Sequence, residues 1–68
     1  MHAPLTFPRL VAQFTHPATQ DQASVFETDG GYAVVLRHPG ERIEPPPQAI
    51  LRDRVAAMRQ ARVLAGLA

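Results

Sequence analysis

The chain has 68 residues, no cysteine and a net charge of +1. A chain this short forms at most one domain and buries only roughly 60% of its unfolded surface. Without cysteines it has neither disulfides nor a cysteine zinc site, so we expect stabilisation by a partner subunit, a larger complex or tight packing. The longest strongly apolar run, Ala33–Leu36, is far below the roughly 20 residues of a membrane span. The lack of cysteine and of a secretory signal pattern predicts a cytoplasmic protein.

All the basic residues are arginines, and lysine and asparagine are absent. This bias is typical of a GC-rich bacterial or phage genome. Residues 1–46 carry three arginines against five carboxylates, a net charge of −2, whereas residues 47–68 carry four arginines against one carboxylate, a net charge of +3. The carboxyl-terminal third is therefore predicted to be a basic element on a mildly acidic body.

The amino-terminal part of the chain is the least clearly patterned. Residues 1–8 contain two prolines and are predicted to be an irregular lead. Residues 9–16 fit a strand, with alternating apolar side chains on one face, but they also fit a helix with Thr6 as its N-cap. Pro17 would end either element. We take this segment as a third strand and keep the helix as the alternative.

Residues 23–38 are predicted to form a central β-hairpin. Asp29-Gly30 between β-favouring runs is typical of a type I′ turn, whose two central residues have positive φ. This turn would pair Thr28 with Gly31 and, further along, Val25 with Val34. Apolar side chains then occupy both faces, with Val25, Tyr32, Val34 and Leu36 on one and Phe26, Ala33 and Val35 on the other. Because a half-exposed hairpin alternates apolar with polar residues, we expect cover on both faces: the terminal helix on one, and the amino-terminal segment or a partner on the other.

Residues 39–47 are predicted to be a proline-rich link, which ends in the stiff run Pro45-Pro46-Pro47. Residues 48 to about 65 follow a helical pattern, with apolar side chains over one half of the helix and Arg52 and Arg59 opposite. Gly66 is expected to cap or fray the end of this helix. The predicted fold class is α+β, a small antiparallel sheet (hairpin 23–38, third strand 9–16) packed against one carboxyl-terminal helix in a single domain.

No catalytic, cofactor or metal site is predicted. Ser24 lacks the G-x-S-x-G context of an activated serine, and the Gly-Gly pair belongs to a turn and not to a phosphate loop. His16 and His38 each precede a proline and would lie at the same edge of a three-stranded meander. Two histidines without a third ligand make a poor metal site, so we interpret them as strand ends.

The predicted function is non-enzymatic protein binding, by a protein of bacterial or phage origin. Its partner would be a larger complex, in which it acts as a subunit, adaptor or inhibitor, or a second copy of itself. Apolar centres bordered by aromatic and arginine side chains are typical of interfaces. The candidate contact residues are Phe26, Val35, Arg54, Met58, Arg62, Val63 and Leu67. The alternative is a small nucleic-acid-binding or regulatory protein that uses Arg52, Arg54, Arg59 and Arg62. These arginines do not form one stripe and the net charge is small, which is atypical of nucleic-acid readers.

Overall fold

The computed structural model describes residues 8–43 and 45–67. They form one antiparallel sheet in the order β1-β2-β3-β4, followed by a single helix. The elements are β1 (Arg9–Thr15), β2 (Gln22–Thr28), β3 (Gly31–Arg37), β4 (Ala49–Leu51) and α1 (Arg54–Leu64). The predicted α+β class, with a small antiparallel sheet against one terminal helix, is confirmed.

The central hairpin has the predicted register but not the predicted turn type. Thr28 pairs with Gly31, Phe26 with Ala33 and Val25 with Val34. Positive φ is found at Gly31 and not at Asp29 or Gly30, so the turn is not type I′. Gly31 itself is closely packed, since a Cβ atom there would lie 2.5 Å from the carbonyl oxygen of Leu51.

The segment with two interpretations, residues 9–16, is a strand. β1 pairs antiparallel with β2, and the register shifts between Leu10 and Ala12, where a β-bulge interrupts the ladder. His16 closes the connection to β2, because its amide donates to the Asp21 carbonyl over 2.9 Å and its carbonyl accepts from Gln20. Of the predicted lead, residues 1–7 lie outside the described part of the chain.

The helix begins at Arg54, six residues later than predicted, because the preceding residues form β4. Ala49–Leu51 pair with Val34, Ala33 and Tyr32 of β3, and the Gln48 amide donates to the Val34 carbonyl over 2.7 Å. Asp53 then caps the helix, since its carboxylate accepts from the Ala56 amide over 2.9 Å. The chain thus changes from strand to helix at a residue type that N-caps favour.

The core lies between α1 and one face of the sheet. Val25 and Val34 are its largest fully buried side chains. They face the buried residues Ala57, Ala61 and Ala65, which are spaced four apart along one side of the helix. Because alanine side chains are short, the helix lies close to the sheet, and the core is small.

The helix ends in a Schellman motif. Gly66 has φ of 80°, its amide donates to the Val63 carbonyl, and the Leu67 amide donates to the Arg62 carbonyl. This arrangement satisfies carbonyls that a helix end leaves unpaired, and it turns Leu67 back towards the core. Gly66 is therefore a cap. Among the described residues, no helix is both long and apolar enough to cross a membrane.

Candidate functional site: the open face of the sheet

The helix covers one face of the sheet, and the opposite face, here called the open face, carries a second set of apolar side chains. The strand registers place Leu10, Phe26, Ala33, Val35 and Ile50 on this face. Leu10 is 48% exposed and Ile50 is 66% exposed. The prediction that apolar residues occupy both faces of the hairpin is therefore confirmed.

These side chains form a groove of about 510 Å³ on the open face. Ala33 and Val35, which are 8% and 7% exposed, form its floor. Its remaining lining residues are Pro8, Phe26, Thr28, Pro45, Pro47 and Ile50. None of the lining side chains is charged, and Thr28, whose hydroxyl donates to the Gly31 carbonyl, is the only polar one. The lining of the groove is therefore almost entirely apolar.

The other half of the open face is polar, and its side chains bond to one another. Gln13 donates to the Ser24 hydroxyl over 3.1 Å, and Gln22 donates to the Thr15 hydroxyl over 3.3 Å. Each bond joins residues that are direct partners of β1 and β2. These four side chains already have hydrogen-bond partners within the fold. The exposed apolar surface of the open face is therefore concentrated in the groove.

Both edges of the sheet are protected against the addition of another strand. β1 carries the bulge between Leu10 and Ala12 and follows Pro8, and β4 has only three residues and follows a proline run. Bulges, prolines and short edge strands are the devices by which proteins prevent pairing between edges. Pairing of another strand with either edge is therefore disfavoured.

The two histidines lie at the same rim of the sheet, at the ends of β1 and β3, as the strand interpretation predicted. His16 Nδ1 accepts from the amides of Ala18 and Thr19 over 3.1 and 3.2 Å, which fixes the ring over the turn. His38 Nδ1 lies 2.8 Å from an Asp21 carboxylate oxygen. That hydrogen bond raises the pKa of His38 and lowers the pKa of Asp21.

A small polar cavity of about 280 Å³ lies beside His38, lined among others by Thr15, Arg37 and Glu41. In the described part of the chain, no group of three or more histidine, aspartate or glutamate side chains could hold a metal ion. The rim histidines instead have contacts within the fold: one with a turn, the other with a carboxylate.

The four arginines of the basic third are exposed but do not share one direction. Arg62 lies with its guanidinium 5.8 Å from the centre of the Phe14 ring on β1. Arg52 precedes the helix, and Arg54 is its first residue. Asp53 is the only carboxylate between Gln48 and Leu67, and it is engaged as the N-cap.

The predicted protein-contact residues fall into separate places. Phe26 and Val35 line the groove, whereas Met58 and Leu67 pack against the core on the helix side. Val63 is 53% exposed on the outer side of the helix, and Arg54 is exposed at the first residue of the helix. The sequence pattern does not indicate Ile50 as a groove residue, because residues 48–52 fit a helix, and it predicts the flanking prolines only as part of a link. The three-proline run followed by Ala-Ile-Leu and a capping aspartate was the signal for a strand.

No protein-family model matches the chain, and the searches of curated proteins and of solved structures return no match.

Proposed function

We propose that this protein is a non-enzymatic protein-binding module that uses the open face of its sheet. The observation that carries the proposal is the uncharged groove over Ala33 and Val35, bordered by the exposed Ile50. A contiguous exposed apolar patch on a small protein marks an interaction site more often than a plain surface. The central part of protein interfaces is depleted in charged residues, as this groove is.

The small core supports the same proposal. The described part of the chain buries alanines and valines but no large side chain completely. About 25 cal/mol is gained per Å² of apolar surface removed from water. Covering the groove would therefore add a contribution that the helix side alone does not supply. A partner on the open face would turn a two-layer structure into a three-layer one.

Site-specific photo-crosslinking tests the proposal. p-Benzoylphenylalanine would replace Ile50 in cells that naturally make the protein, and the same residue would separately replace Ile43 and Val55. All three positions are exposed, at 66%, 83% and 63%, but only position 50 lies at the groove. We expect a discrete adduct from position 50 and not from the other two, and peptide mass spectrometry identifies its second chain.

An adduct that forms equally well from positions 43 and 55, or none from position 50, contradicts the proposal. If the adduct contains peptides of a different protein, the groove is a docking site for that protein. If all peptides come from this chain, the groove binds a second copy.

A second candidate function is nucleic-acid binding through the helix, as a small nucleic-acid-binding or regulatory protein. It is favoured by the exposure of Arg52, Arg54, Arg59 and Arg62 beside a single carboxylate that is already used as a cap. Such binding should weaken with salt, because each phosphate contact releases counterions.

The matched test compares two double variants on a DNA column. Arg52→Gln with Arg59→Gln should lower the salt slope by about 2, since each lost phosphate contact lowers it by about 1. Arg9→Gln with Arg42→Gln removes the same charge elsewhere and should leave the slope unchanged. No retention of the unaltered protein at low salt would exclude this function.

A further inference from the structure

We propose that the occupant of the open face is a second copy of this chain, bound about a two-fold axis with the two grooves facing each other. This inference rests on the proposed function, because it names the partner of that same surface.

The groove contains both parts of a self-complementary contact. Ile50 projects at its border and is 66% exposed, whereas its direct partner on the neighbouring strand, Ala33, lies on the buried floor with the small side chain Val35. In a two-fold interface every contact occurs twice: where a residue of the first copy contacts a given site on the second, the same residue of the second copy contacts that site on the first. The Ile50 side chain of each copy would therefore lie on the floor of Ala33 and Val35 of the other.

The charge of the surface favours an identical partner. A two-fold axis brings each surface against itself, so a charged groove would place like charges together at a cost. No lining side chain of this groove is charged. Arg9 and Glu27 pair with each other over 2.6 Å on the helix side of the sheet, and Arg37, the charged side chain on the open face, lies at its polar end, away from the groove. The two grooves can therefore meet without repulsion.

The whole open face, the groove and the polar half together, has an area at the low end for a dimer interface. The four strands contain 24 residues, which at about 3.4 Å per residue and about 4.8 Å between strands give roughly 390 Å² of flat sheet. Two such faces give roughly 800 Å², and the accessible surface is larger than this projection because it follows the side chains. The pair thus approaches the about 1,000 Å² expected of a specific interface, at the low end of the size range.

The experiment is sedimentation equilibrium of the purified chain, up to about 1 mM, with an expected dissociation constant of about 10–100 μM for an interface of this size. The average mass of the unaltered chain of 7.4 kDa should approach twice the monomer mass at the highest concentration. Ile50→Asp should weaken association at least about 100-fold, or about 2.8 kcal/mol. Ile43→Asp makes the same change at an exposed site away from the groove and should still form the dimer. Far-UV circular dichroism verifies that both variants are folded.

A chain that stays monomeric at the highest concentration overturns the self-pairing, and so does a dimer that Ile50→Asp leaves intact. Isotope-filtered NOE measurements on a mixed-label sample give a readout that needs no variant: we expect contacts between the Ile50 methyls of one copy and the Val35 methyls of the other. Their absence in a dimer places the interface elsewhere. A monomer that nevertheless crosslinks to another protein through position 50 would refute the second copy while leaving the proposed function standing.

Discussion

Two adjacent glycines at the hairpin turn have different surroundings. Gly31 has φ of 141°, and a Cβ atom there would lie 2.5 Å from the Leu51 carbonyl oxygen, whereas a Cβ atom on Gly30 would meet nothing within 4 Å. Gly31→Ala should therefore lower the free energy of unfolding by about 1–3 kcal/mol, through backbone strain and a forced shift of β4. Urea denaturation measures the change.

Gly30→Ala is the matched control, because it makes the same substitution one residue earlier at a position without positive φ. It should be neutral or stabilise the protein by up to about 1 kcal/mol, since alanine reduces the freedom of the unfolded chain. Equal losses for the two variants would contradict the close approach of Leu51.

The contact between His38 and Asp21 predicts a dependence of stability on pH. The hydrogen bond raises the pKa of His38 above its ordinary 6.5 and lowers the pKa of Asp21 below its ordinary 3.8. Both contributions are fully present between these two ordinary values. The Asp21 contribution is lost as pH falls through its lowered pKa, and the His38 contribution is lost as pH rises through its raised pKa.

Asp21→Asn should therefore lower the melting temperature most at about pH 5 and progressively less above pH 7, and an NMR titration should show a lower pKa for His38. Asp29→Asn removes the same charge at the exposed hairpin turn and should leave the His38 titration unchanged. A His38 pKa that is the same in both variants would show that the pair does not form in solution.

Among the elements, the start of α1 is the boundary that the sequence pattern does not predict correctly. The helical periodicity of apolar residues that defines α1 extends back through Ile50 and Leu51. Periodicity alone therefore predicts a helix from residue 48. The three prolines hold the preceding chain extended, and pairing of Ala49–Leu51 with β3 outweighs the local helical preference. Tertiary pairing of this kind is not contained in a single segment's pattern.

The side of α1 that carries the buried alanines should tolerate larger side chains poorly. Ala61 is fully buried against the sheet, so Ala61→Leu forces extra atoms into a close contact and should lower the free energy of unfolding by about 1–3 kcal/mol. Ala56→Leu adds the same atoms about 140° away around the helix and should change stability by less than about 0.5 kcal/mol. Urea denaturation of both variants gives the comparison, and a tolerated Ala61→Leu would indicate that the helix lies further from the sheet.

For the molecule as a whole, self-association predicts that stability depends on concentration. Because only folded chains associate, a higher total protein concentration stabilises the folded state and raises the melting temperature. We expect such a rise for the unaltered chain between about 10 μM and 1 mM, and none for Ile50→Asp. Differential scanning calorimetry at several concentrations measures it, and a melting temperature independent of concentration would contradict the dimer.

The presence of apolar side chains on both faces of the sheet could be predicted from the sequence, because the alternation of Phe26 and Val35 with Val25 and Val34 fixes it once the hairpin register is known. The position of the groove could not. Its borders come from Ile50 and from prolines that are distant in sequence and meet the hairpin only after β4 pairs with β3. Likewise, the burial of Met58 and Leu67 depends on how the helix and its Schellman turn lie on the sheet.

Tyr32 is the only tyrosine of the chain, and there is no tryptophan. Its side chain packs against the core beneath the helix, on the side of the sheet away from the groove. Tyrosine fluorescence of the protein therefore comes from a single residue, which reports on the helix side. Unfolding of a variant should therefore change the tyrosine emission. Loss of a contact at the groove alone should leave the emission unchanged, and the measurement needs no added label.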